Sequence, residues 1–268
     1  MRALFIFGCI LPLLSNAQYD RDTLGARLVT WNAVRERSDT LTLSEVMDDD
    51  WHINAQLNQA LAGVLAVPGL NDHAIDSLIP ADQLHRVRSA DGRLTLFSWD
   101  ERTGGTFQAQ VTLVFFRDAR GIGHPVFDRS LNDEGGGTEW SRGGSYHAIH
   151  ALGRTDSSTL YLCVGGVKGC SSCCSEMLTV IELTRDDIHF DYPAFEVGTD
   201  RNEEPLLGPT WELTARCGDV TRFDYDPKHK VARFTYTTDD LTPVPAGEGE
   251  ARTITGSAHF DGKRFVVK

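Results

Sequence analysis

The sequence predicts a mainly β fold: antiparallel multi-stranded sheets in a meander, sandwich or propeller-like array, with a small N-terminal helical region. Three observations carry this. Up to Ile79 apolar residues recur near every fourth position, whereas after Asp91-Gly92 they alternate or run continuously, a change from helical to strand periodicity. The apolar segments after Asp91 are short and separated by Asp-Gly, Asp-Pro or Asp-x-x-Gly turns, chemistry that reverses a chain between neighbouring strands. No repeat at a fixed period singles out a propeller.

The first element is an export signal over residues 1–17. Arg2 supplies the positive charge, Ala3 to Leu14 the apolar stretch, and Ser15-Asn16-Ala17 the small residues before a cleavage site, the three parts of a signal peptide. The apolar stretch is shorter than the roughly 20 residues needed to cross a bilayer, and nothing later in the chain is longer. A secreted or periplasmic protein is therefore expected, with no membrane insertion after cleavage. Gly8-Cys9 does not mark a lipoprotein, because the apolar run continues past Cys9.

Residues 18–40 read as an irregular lead-in with one strand around Leu28 to Trp31, followed by a single mainly β domain over 41–268. Thr42-Leu43-Ser44-Glu45 has the form of a capping box. Val46, Ile53, Leu57, Leu61 and Val64 then fall on one helical face, predicting a helix near 42–66 that Pro68-Gly69 ends. A shorter helix is predicted over 71–79, before Pro80. Strands are predicted over 93–99, 111–116, 146–152, 159–164, 177–183, 220–225, 231–236, 252–260 and 264–267. Asp118 to Gly121, Asp226 to His229 and Asp261-Gly262 serve as turns. Residues 132–137 compose a glycine-rich surface loop, and 193–210, with three prolines and several acids, a long insertion or lid.

The composition is that of an ordinary globular chain, 41% apolar and 24% charged, with a net charge of −12. Loss of Arg2 with the signal makes the remainder more acidic. Without a basic cluster, binding to nucleic acid is not expected, nor is docking on an anionic lipid surface. No G-x-S-x-G, H-E-x-x-H, nucleotide-binding glycine loop or EF-hand pattern occurs, so no cofactor or metal site is assigned and the partner stays unknown. Ser145 and His147 share one side of a regular strand, but nearly 7 Å apart and with no elbow to expose the serine. His150 falls on the other face from His147. The loop carboxylates, among them Asp48, Asp133, Glu134, Glu203 and Glu204, read as solvated.

The stretch from Asp91 to Thr106, DGRLTLFSWDERTGGT, resembles a D-G-[KR]-x-x-[IL]-[FY]-S-W-D-x-x-T-G-G-T segment of a family of uncharacterised secreted bacterial proteins. Tyr146-x-x-Ile149-x-x-Leu152 and Tyr161-Leu162 extend the likeness, which spans roughly residues 45 to 185. The resemblance implies export and brings no activity. Read physically, the segment is a strand entering a tight loop, with Thr103, Gly104 and Gly105 supplying backbone freedom. Trp99 and Asp100, with that loop, form either a candidate pocket or a structural corner in which Trp99 packs and Asp100 caps the loop.

Once the signal with Cys9 is gone, five of the six cysteines remain: Cys163, Cys170, Cys173, Cys174 and Cys217. Disulfides persist outside the cytoplasm, and ligands at zinc spacing are missing. Cys170, Cys173, Cys174 and Cys217 are thus disulfide candidates, and Cys163, within a strand, the buried free thiol. The cysteine-rich loop departs from the family pattern. Whether the chain is an enzyme is left open by these readings. The leading one is a non-catalytic binding or envelope-associated domain. The alternatives are a secreted hydrolase with a site built from loops around Asp100 and 193–210, or a redox or metal protein using Cys170, Cys173 and Cys174.

Overall fold

A computed structural model describes residues 21–42, 45, 52–79, 84–100, 110–127, 145–155, 157–168, 173–199, 205–216, 221–239 and 251–267. The expected signal peptide lies outside them. Helix α1 spans Arg21–Thr40, α2 His52–Leu65 and α3 Asp72–Leu78. The expected irregular lead-in over 18–40 is thus corrected to helix from Arg21 onward, with no strand at Leu28 to Trp31. Its apolar residues are sparse, but Leu24, Leu28 and Trp31 recur at four and three residues and pack on α2. Tertiary burial of such a face, rather than propensity, supplies most of a helix's stability.

The capping box forms as expected. The Thr42 N–H donates to Glu45 Oε2 at 2.7 Å, and the Glu45 N–H to Thr42 Oγ1 at 3.4 Å. Val46 lies outside the described residues, and the described helix resumes at His52. α2 ends at Leu65, and Gly69 takes a positive φ of 78°, a backbone setting that suits glycine. The Asn71 side chain caps α3 by accepting from the Ala74 N–H. Asp72 and Asp76 then tie α3 to Arg117 (2.7 Å) and Arg88 (2.9 Å) on the sheet beneath it.

Four antiparallel sheets follow. The first joins β1 (His85–Arg88), β2 (Leu94–Asp100), β3 (Gln110–Arg117) and β4 (Gly123–Val126) in sequence order. The second comprises β5 (Ser145–Arg154), β6 (Ser158–Lys168), β7 (Cys173–Thr184) and β11 (Thr210–Arg216), in the order β11-β7-β6-β5, with β8 (Ile188–His189) on β7. A third is the pair β9 (Phe195–Thr199) and β10 (Pro205–Gly208). The fourth is a meander of β12 (Thr221–Asp226), β13 (Val231–Asp239), β14 (Ala251–Phe260) and β15 (Phe265–Val267).

Alternation of side chains turns these sheets into layers. Phe97, Leu113 and Phe115 face the helices, whereas Leu94, Leu96, Val114 and Phe116 face Tyr161, Cys163, Met177 and Ile181 of the second sheet. The other face of that sheet, with Leu160, Leu162, Leu178 and Val180, meets Phe223, Phe234, Ala258 and Phe265 of the meander. The order is helices, sheet, sheet, meander: stacked sandwiches. Strands covered on both faces explain why 111–116 is apolar on both sides, with Thr112 its one polar residue.

The stretch 193–210, expected as an insertion or lid, contributes instead to the sandwich through β9 and β10. Ala194 and Phe195 are buried, and the Ala194 N–H donates to Gly208 O at 3.0 Å. Pro193, Pro205 and Pro209 flank or open these strands, where a missing N–H costs no ladder bond.

Candidate functional site

The Asp91-Gly92-Arg93 opening of the quoted segment is a junction between sheets. Gly92 has φ 71°. Asp91 accepts from the Ser89 hydroxyl at 2.7 Å, from the Arg93 N–H at 3.2 Å and, across the layers, from the Tyr161 phenol at 2.6 Å. Burial alone would raise the Asp91 carboxyl, but those three bonds and the Arg93 charge hold it below the usual aspartate value. Arg93 donates to the carbonyls of Arg117 and Thr184. The resemblance therefore falls, at this end, on residues that lock two sheets together.

Further along the segment, Trp99 and Asp100 line a cavity. Trp99 projects to the helical side of β2, in step with Phe97, and Asp100 closes the strand. Facing them, α1 presents Trp31, Arg35, Ser38 and Asp39, spaced so that all lie on one helical face. Leu57 of α2 and Leu84 complete a hollow of about 370 Å³. Arg35 Nε pairs with Asp39 Oδ2 at 3.4 Å, with Asp39 the more exposed partner. Trp31 is 2% exposed. The indole N–H groups of Trp31 and Trp99 are both buried without a hydrogen-bond partner. Asn58 Oδ1 and Tyr225 Oη, away from the hollow, are buried without a partner as well, and each such atom costs about 1–3 kcal/mol. Of the five pocket candidates, Trp99 and Asp100 line this hollow, and Thr103, Gly104 and Gly105 lie outside the described residues. An irregular 18–40 segment offers no common face for the α1 residues; the signal for one is the spacing of Leu24, Leu28 and Trp31.

The described residues 193–199 and 205–210 are placed away from Asp100. Phe195 belongs to the cluster on the far side of the second sheet. There it stacks on Phe265 at 5.0 Å and lines, with Trp211, a second hollow of about 430 Å³. None of the described residues lining that hollow carries a buried unpartnered polar atom.

Cys163 is a buried free thiol, its ionisation pushed up by burial. Cys174 is disulfide-bonded. No disulfide joins two cysteines whose side chains are described; Cys170 and Cys217 lie outside the described residues, as does the Cys173 side chain. Strand alternation puts Cys163 and Cys174 on opposite faces, since Cys163 packs with Tyr161 while Cys174 pairs in register with Lys168, in step with Leu162 and Val164. His147 departs from the regular strand assumed above: it is the extra residue of a bulge, between the Tyr146–Gly165 and Ala148–Val164 pairs. Tyr146 and Ile149, three apart, consequently share one cluster. Among the described residues no group of three His, Cys, Asp or Glu is placed to hold a metal, and no helix is long and apolar enough to cross a membrane. No family model, curated protein or solved structure matches the chain.

Proposed function

We propose that this chain is an exported binding domain that holds a small ligand in the cavity between α1, α2 and the end of β2. The observation that carries the reading is one concave site of about 370 Å³ lined by apolar Trp31, Leu57, Leu84 and Trp99 beside polar Arg35, Ser38, Asp39 and Asp100. Small-molecule sites are concave, mostly apolar and provided with a few polar groups that orient the ligand. The three-part pattern of residues 1–17 and the disulfide-bonded Cys174 both support export, because disulfides persist in oxidising compartments. The likeness to secreted bacterial proteins is consistent with it. Expression of the full chain in a secreting bacterium tests the address: the exported form begins at Gln18, and a product retained in the cytoplasm with Met1 intact refutes it. A ligand screen read by tryptophan fluorescence tests the site. A saturable change that Trp99→Phe weakens is the expected result.

One observation favours a second reading. Asp39 and Asp100 line the same cavity, and paired carboxylates are what acid–base hydrolysis uses. Turnover of a bound compound, abolished by Asp100→Asn with binding retained, would replace the binding domain by the hydrolase.

A further inference from the structure

We draw no further inference here: the strongest candidate, the apolar hollow of about 430 Å³ between β9, β11, β14 and β15 with Val266 and Val267 exposed along it, carries nothing because nothing in the structure shows what covers it.

Discussion

Tyr161 and Asp91 are 70 residues apart in sequence and meet at 2.6 Å across two sheets. Tyr161→Phe deletes that one hydroxyl and preserves the ring, which is fully buried. A hydrogen bond to a charged group contributes about 1.5–3 kcal/mol. The Ser89 hydroxyl and Arg93 N–H continue to satisfy the Asp91 carboxylate in the variant, so the lower part of that range applies, about 1.5–2 kcal/mol. For a chain of this size each kcal/mol moves the melting temperature by about 2–4 °C, which gives a fall of roughly 3–8 °C at pH 7. The pH dependence has a definite sign. The folded Asp91 carboxyl titrates below its ordinary value of 3.8. Its contribution is therefore complete above that value and lost as pH falls through the folded one. The gap between wild type and Tyr161→Phe should accordingly be constant from pH 5 to 7 and narrow below pH 4. Urea unfolding of wild type, Tyr161→Phe, Asp91→Ala and the double variant measures the coupling directly. A coupling below about 0.5 kcal/mol, or a gap that does not change on acidification, would refute the assignment of this bond as a joint between sheets.

Gly165 faces the β5 bulge, where an added Cβ would sit 2.8 Å from Ser145 O and 2.9 Å from Tyr146 Cα. Gly165→Ala should therefore cost about 1–3 kcal/mol in urea unfolding. Gly153→Ala, with nothing within 4 Å of its Cβ, should be close to neutral, and equal effects would contradict the packing described. Asn71→Ala removes the α3 cap and should lower stability by about 1 kcal/mol; an unchanged urea midpoint would show that the cap contributes nothing. In alkylation mapping without reductant, Cys163 should react only after unfolding and Cys174 only after reduction. Labelling of Cys174 in the unreduced, unfolded chain would rule out its disulfide.

The strand-rich body was legible because its signals are local. Turn residues at Asp91-Gly92, Asp118 to Gly121 and Asp261-Gly262 and the apolar runs between them specify strands wherever these pack. Strands β1, β4, β8, β9, β10 and β11 were not, because they are short or carry histidine, arginine, glycine or proline in place of an apolar run. Their pairing depends on neighbours distant in the chain. One wall of the candidate pocket was legible for the same reason: Trp99 and Asp100 belong to a conspicuous strand end, whereas Trp31, Arg35, Ser38 and Asp39 come from a helix whose polar surface hides its one buried face.

By itself, then, the sequence determined the periodicity, the turns, the capping box at Thr42 and the export-like start, all properties of neighbouring residues. Tertiary structure alone decided that α1 is a helix, that the sheets stack in layers and that Phe195–Thr199 and Pro205–Gly208 pair as β9 and β10 within the sandwich. It also set two tryptophans 68 positions apart, Trp31 and Trp99, on one cavity. The physical reason is the same in each case. Burial and hydrogen-bond satisfaction are settled between segments distant in sequence, and the unpaired indoles exist only once those segments meet.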